Sequence, residues 1–476
     1  MTPAINTTMT SSERLITTSL STLFAVRMLG LFILLPVLAV LGQELDHATP
    51  TLIGVAIGIY GLTQALLQIP FGLLSDRYGR RPLIMIGMGL FFIGSLVAAN
   101  ADTIYGIILG RALQGGGAVG GVITALLADQ TRAQVRTKAM AMIGAGVGIA
   151  FLSAFILGPV LASKLGLSGL FAVIACLGAL SLGIAWFYVP QQHIAPGRLQ
   201  AETSANQLDS LGQKFMANLR QPQMARLYFS IGALHLVQTS LFVALPAILV
   251  HSHQMPLIDH WRVYVPIMLL AFAAIIPVIL LAEKRGHLRS ALLSMIGLMG
   301  IAITLMLLQY LSFGWLVISL LLFFAGFNAL EALLPSLVSR LSPIATRGLC
   351  MSTYSTCQFF GAFLGGALGG LLYAHYGFEG LMLLNLVTLG LWLLVALGLF
   401  PPEHTKTIVV PVTITDHHTT MQLLEQLPGV HEVLIAEDNA SAQLKIDRRR
   451  FQQQQLDDLL ISFNASQPDG HSSLSK

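Results

Sequence analysis

The chain has 476 residues, a formal net charge of +4, and a composition that is 55% hydrophobic and only 10% charged. Soluble domains carry about 25% charged residues, so this chain lacks the polar surface to coat a water-soluble particle of its size, and lipid must be its main solvent. The mean hydropathy of +0.75 agrees, and the basic excess follows from membrane topology rather than from nucleic-acid binding.

Lipid leaves only helices or a closed barrel as spanning structures, because an unpaired amide in hydrocarbon is too costly. The apolar runs are long and continuous rather than alternating, which selects helices. The N-terminal tail, 1–14, is polar and has neither the charged start nor the small-residue cleavage site of a signal peptide. Beyond it, spans are predicted at 15–41, 51–74, 82–100, 104–128, 137–162, 167–189, 223–250, 262–282, 288–309, 312–338, 345–374 and 377–400. Cys176, Cys350 and Cys357 all fall in these apolar segments and fit neither a disulfide framework nor a metal site.

The charges orient the spans. With the N-terminus inside, sixteen basic residues, from Arg14 to Arg347, fall in inner segments. The outer loops hold two, Lys164 and Arg262. Both termini are therefore expected in the cytoplasm. The polar segment 190–222 divides the spans into halves at 15–189 and 223–400. Two six-helix halves with a midplane site between them are a recurrent transporter plan.

Between spans two and three the chain reads GLLSDRYGRRPL, with Gly72, Asp76, Arg77, Gly79, Arg80 and Arg81. Gly72 permits a close helix approach and Gly79 a tight turn. Asp76 can pair with Arg80 or face a neighbouring helix N-terminus. A second acid, Asp129, closes span four. This string, in this loop of a twelve-span chain, resembles the signature of the major facilitator superfamily. The resemblance implies an all-α polytopic fold of twelve transmembrane helices. It also implies that Asp76, Arg80 and Asp129 form a charge cluster locking one cytoplasmic closure state. The plainer alternative is ordinary pairing among loop charges.

Further segments carry the same resemblance. GRALQGGGA in span four resembles the family's R-x-x-Q-G segment at Arg111 and Gln114. GAGVGIAFLSAFILGPV in span five, with Gly144, Gly148, Gly158 and Pro159, resembles the glycine-rich motif of drug–proton antiporters. It departs from that motif at Ala162, where a glycine often closes it. In either case it reads as a kinked small-residue packing face. IGIYGLTQALLQIPFGLLSDR, NALEALLPSLVS and VLIAEDNASAQLKID resemble a proton-driven bacterial inner-membrane member with a ferredoxin-like appendage.

Charges deep in a span are functional hypotheses by default. Glu331 is the one acid in the interior of any span, and a carboxylate that exchanges burial for hydration can couple protons. His235 is a second candidate for that role. Arg27, Asn328, Gln358, Arg111 and Gln114 are candidates for lining a cavity or touching substrate. For each, a paired or hydrogen-bonded structural residue is the alternative. Tyr60, Phe71, Tyr354 and Phe359 are weaker substrate contacts, and GAFLGGALGG in span eleven reads as a helix-packing face.

After Pro402 the composition turns soluble. The order strand, helix, strand, strand, helix over 405–464 suggests a small α/β ferredoxin-like cytoplasmic domain. The tail, 465–476, reads as disordered. The layout resembles heavy-metal-associated domains, but the loop with Asp416, His417 and His418 has no CxxC, and no metal site is assigned. A regulatory partner or ligand, or a passive appendage, is expected instead.

The sequence thus reads as a multi-pass inner-membrane secondary transporter, not an enzyme, and needing no cofactor. Its partners are a small-molecule substrate, protons and the bilayer. Proton-coupled export of amphipathic compounds is the leading expectation. Proton-coupled or facilitated uptake of a polar metabolite, or a transporter-derived sensor, are the alternatives.

Overall fold

The computed structural model describes residues 8–191, 213, 215–285, 287–400, 405–411, 417–435, 441–447 and 449–465. Most of the predicted linker, Asp416 and nearly all of the predicted tail lie outside these residues.

Ten helices among the described residues are long and apolar enough to cross a bilayer. Two of them are double length. Ala133–Tyr188 has 56 residues and Arg347–Leu397 has 51, against the ~20 that span a hydrocarbon core. Each reverses at one glycine in the left-handed region, Gly166 at φ 66° and Gly377 at φ 64°. Only glycine takes that conformation without strain. Twelve crossings result, in the order the sequence predicts, and alternate crossings put Gly79, Gln130 and Ser342 at one end. This basic end also holds the start of span one. Asp46, Ala101, Gly166, His253 and Gly377 mark the far end.

Local chemistry sets the helix starts. Thr10 and Glu13 form a reciprocal capping box ahead of Ser11–Phe32, and Thr49 caps Pro50–Tyr78 with Pro50 in its first turn. Such caps satisfy amides that have no partner inside the helix.

Two predicted spans are broken. Span one, expected as 15–41, is helical to Phe32, turns, and resumes at Leu38–Leu41. Pro36 lies in the turn and has no amide hydrogen to continue the helix. Span four, expected as 104–128, splits into Ile104–Gly116 and Gly120–Asp129. A Cβ on Gly117 would sit 2.2 Å from the Gly87 carbonyl of span three, so the break brings two backbones together.

Span eleven packs on two sides through its glycines. Gly361 and Gly365 press on the backbone of Gly232 and Leu236 in span seven, while Gly366 and Gly370 press on span two at Gly54 and Pro50. The segment GAFLGGALGG is thus a helix-packing face twice over, one stripe for each neighbour. Spans two and eleven belong to opposite halves, and their contact lies toward the far end. Nearby, Phe155 of span five meets Phe242, Tyr264 and Phe324 of the second half at ring-centroid distances of 5.4, 5.1 and 6.4 Å. This aromatic plug closes the far end between the halves.

The C-terminal segment forms β1 (Thr405–Pro411), a helix His417–Glu425, β2 (Val430–Ile435), β3 (Ser441–Asp447) and a helix Gln453–Ala465. The sheet order is β1-β3-β2, with β3 antiparallel to both neighbours. A third strand inserted between the two strands of a βαβ unit is compatible with a ferredoxin-like domain. Val410, Leu424, Val433, Leu444 and Leu456 form its core.

Candidate functional site: polar groups within the spans

Span ten carries Glu331, span seven His235 and span eleven Gln358, and the bundle brings all three together. The Gln358 amide nitrogen donates to Glu331 Oε1 at 3.2 Å and lies 2.9 Å from His235 Nε2. His235 Nδ1 faces the Ile231 carbonyl at 3.3 Å. A neutral imidazole with its proton on Nδ1 satisfies both contacts: it donates to Ile231 and accepts from Gln358. His235 Nε2 is also 3.8 Å from Glu331 Oε2, and that oxygen has no hydrogen-bond partner. The Phe327 ring stands edge-on to His235 at 5.8 Å. Asn328 is buried one turn before Glu331, and neither its Nδ2 nor the Tyr354 hydroxyl has a partner. The aromatic plug begins about 10 Å beyond this cluster, since Phe242 and Phe324 are each seven residues along their helices from His235 and Glu331.

In the first half, Arg27 is fully buried. Its terminal nitrogen donates to Gln64 Oε1 at 2.6 Å, and its guanidinium carbon stands 5.7 Å from the centre of the Tyr60 ring. Gln64 and Gln68, one turn apart in apolar span two, were not singled out from the sequence. Two amides on one face of a membrane helix are the signal that marks them.

Arg111 and Gln114 are placed differently from the expectation that they line a cavity. Arg111 donates to the carbonyls of Ala56 and Ile57, each at 3.4 Å, and to Gln114 Oε1 at 3.1 Å. Gln114 in turn donates to Ser95 at 2.8 Å. Together they tie spans two, three and four, and their polar groups are spent on that clamp.

At the basic end Arg80 joins both acids of the motif. It pairs with Asp76 and reaches Asp129 at 3.3 Å, and it donates to the Ser75 hydroxyl at 2.6 Å. Gly79 takes φ 95°, the left-handed turn foreseen for it. Arg81 donates to the Trp186 carbonyl at 2.5 Å, which ties span three to span six, and Arg77 stacks on Tyr78. A Cβ on Gly72, Gly144, Gly148 or Gly348 would meet nothing within 4 Å. The close approaches foreseen at Gly72, Gly144 and Gly148 are therefore absent from this conformation. Gly158 does pack closely, with a Cβ position 2.5 Å from the Ile33 carbonyl, and Pro159 follows it within the helix.

Two further contacts escaped the sequence reading. Glu13 accepts from Arg132 at 2.8 Å, and this pairing raises the Arg132 pKa above its ordinary value. The C-terminal domain also docks on the turn between spans ten and eleven. Glu432 accepts from the Ile344 amide at 2.8 Å, and Lys445 donates to the Ser342 carbonyl at 3.0 Å. Burial holds the Lys445 ammonium below the usual lysine range, with nearby Glu432 opposing that shift. The side chains of His417 and His418 lie outside the described residues.

Residues 20–343 and 323–427 match the description of the Major Facilitator Superfamily. The inner membrane transport protein YajR of Escherichia coli (strain K12) is 42% identical over 445 residues, which cover 93% of this chain and 96% of that one. Multidrug resistance protein D of the same organism is 32% identical over 161 residues, 33% of this chain and 40% of that protein. Among solved structures, a bacterial homologue of the human lysosomal transporter Spinster, in an inward-facing and occupied conformation, aligns with a TM-score of 0.64. It is 14% identical and covers 82% of this chain and 96% of that one, a likeness of fold alone.

Proposed function

The chain belongs to the Major Facilitator Superfamily, and on that premise we propose that it is a proton-coupled antiporter exporting small amphipathic compounds by alternating access. The basic end faces the cytoplasm in this reading, as the charge asymmetry favours. The far end is then the outer gate, closed here by the aromatic plug and by the contact of spans two and eleven.

The observation that carries the reading is the chain Glu331–Gln358–His235 inside the membrane. A carboxylate there is costly unless its protonation state changes with its surroundings. Gln358 gives that change a route. While its nitrogen faces His235, the imidazole stays neutral and the carboxylate accepts a hydrogen bond. A proton on His235 Nε2 repels the amide nitrogen and favours a flip that presents the Gln358 oxygen. The Gln358 oxygen then accepts from His235, and Glu331 loses its amide donor. Proton arrival and a change in the cavity lining are thereby one event.

The register of spans two and eleven supports the other half of the cycle. Gly54 faces Gly366, Gly58 faces Phe363 and Gly61 faces Phe359, an antiparallel register in which paired numbers total 420 or 421. Carried three turns further, the same register sets Gly72 opposite Gly348, two positions with open space in this conformation. Closure at the basic end brings these glycines together and sets Asp76 beside the start of span eleven, where a helix N-terminus favours negative charge. The Arg80 pairs with Asp76 and Asp129 hold that acid in place. Lys445 and Glu432 grip the turn leading into the same helix start, which gives the C-terminal domain a regulatory hold on the gate.

Proteoliposome flux under an imposed proton gradient tests the reading. The parent protein is expected to accumulate substrate against its gradient. Glu331→Gln is expected to keep downhill exchange and lose accumulation. Undiminished accumulation by Glu331→Gln contradicts the coupling assignment.

A further inference from the structure

Arg27 is a buried cation without a counter-charge. Two of its guanidinium nitrogens, Nε and Nη1, have no hydrogen-bond partner, and the side chain is 0% exposed. It donates to the neutral Gln64 oxygen, and the neutral Tyr60 side chain also lies against it. Among the described residues no carboxylate pairs with it. A buried charge left unpaired is strongly destabilising, so an arrangement that keeps one has another use for it. Arg111 in the same half shows the contrast, because carbonyl oxygens and Gln114 occupy its donors.

The surroundings of Arg27 fit a ligand. The Tyr60 hydroxyl and the Gln68 oxygen, on the span that supplies Gln64, are also buried without partners among the described residues. Span four passes by at Gly120, where an added Cβ would lie 3.8 Å from Arg27 Nη1. The Phe24 ring lies nearer still, 3.1 Å from that Cβ position, so glycine there lets span four come close to both side chains. Arg27 stands 14 residues before the far end of span one at Leu41, and Gln64 stands 14 residues before Tyr78. Both lie near the middle of the bundle, the depth at which substrates bind in this architecture.

We propose that the substrate is an organic anion, and that its acid group binds the free edge of the Arg27 guanidinium with a donor from Tyr60. A planar guanidinium with two free donors matches a carboxylate or sulfonate in two-point contact. The apolar part of the molecule then extends toward the second half, where Asn328 and Tyr354 hold unpartnered polar groups. This deepens the export reading and rests on it for direction only. Export of one anion against one proton moves two positive charges inward, so a negative-inside potential drives it as well as the pH difference.

The test is thermal unfolding of the purified full-length protein in detergent, with matched acid, amide and amine probes on benzyl, naphthyl and octyl skeletons. A ligand that binds only the folded state raises Tm. At least one skeleton is expected to raise Tm by about 2 °C or more as the acid and by less than about 0.5 °C as the amide or amine. Gln64→Glu supplies a resident carboxylate at Arg27, so this variant is expected to unfold at higher temperature than the parent and to lose the response to acids. Arg27→Gln is expected to lose that response too. Amides or amines that stabilise as well as acids overturn the proposal. So does a Gln64→Glu protein that keeps the full response, or the absence of a shift with every acid. No proton gradient is involved, so acid binding without proton-driven flux counts against the transport reading alone. Proton-driven flux of amines counts against the anion alone.

Discussion

Gly54 and Gly366 meet so closely that a Cβ added to Gly54 would stand 2.2 Å from the Gly366 carbonyl oxygen. That contact joins the halves at the far end, and under the proposed alternating access it holds one of the two states.

Gly54→Leu forces these backbones apart. Overpacking of this kind costs about 1–3 kcal/mol and falls on the closed far end alone. A cysteine at Phe242, in the aromatic plug, is expected to react with a membrane-impermeant maleimide from the far side at least about fivefold faster in this background. An unchanged labelling rate means the glycine contact does not set the closure.

Asp129→Asn removes one of the two acids on Arg80. The Asp129 side chain is 46% exposed, and a pair so open to water contributes at most about 1 kcal/mol to stability. Tm is expected to fall by no more than about 2 °C. The transport rate is expected to fall severalfold, because the gate cluster is incomplete. Equal small effects on both reduce the cluster to ordinary loop pairing.

Gln358→Leu cuts the bridge between His235 and Glu331 without removing either titrating group. Downhill exchange is expected to persist while proton-driven accumulation drops at least about tenfold, a shift of ~1.4 kcal/mol in coupling. Full accumulation in this variant makes the two groups independent.

Glu432→Ala removes the acceptor of the Ile344 amide, 2.8 Å away. Hydrogen exchange at Ile344 is expected to accelerate about tenfold, with little change in the interior of spans two and seven. Lys445 adds a pH signature. Its docked pKa is lowered by burial, so docking disfavours the charged ammonium. Docking is weakest below the docked pKa and strengthens as pH rises from there toward the undocked lysine value near ~10.4. The protection factor at Ile344 is expected to rise over that window, and Lys445→Met is expected to flatten the rise. A protection factor that falls with pH in the parent contradicts the docking chemistry.

The twelve crossings were legible in the sequence because continuous apolar runs and basic loops are both local patterns. The β3 strand, SAQLKID, was readable to the residue for the same reason. Pro36 and the Gly115–Gly117 run were visible too, but whether a proline turns a membrane helix, or a glycine run breaks one, depends on the neighbour that approaches. Glu331 and His235 stood out as polar groups in apolar helices. Their link through Gln358 did not, since it joins spans seven, ten and eleven across 123 residues of sequence. Arg111 and Arg27 look alike in a hydropathy profile. Only packing separates the clamp, with its donors filled by Ala56 and Ile57, from the cation whose donors stay open.

Paired cysteines at Gly72 and Gly348, with Cys176, Cys350 and Cys357 replaced by serine, measure the rocking of spans two and eleven directly. A disulfide forms only where Cα atoms come within about 7 Å. Oxidation in membranes is expected to cross-link the pair and stop transport, with both reversed by reduction. If these cysteines never cross-link while the protein transports substrate, the two helices do not close on each other at the basic end, and the alternation described here does not occur.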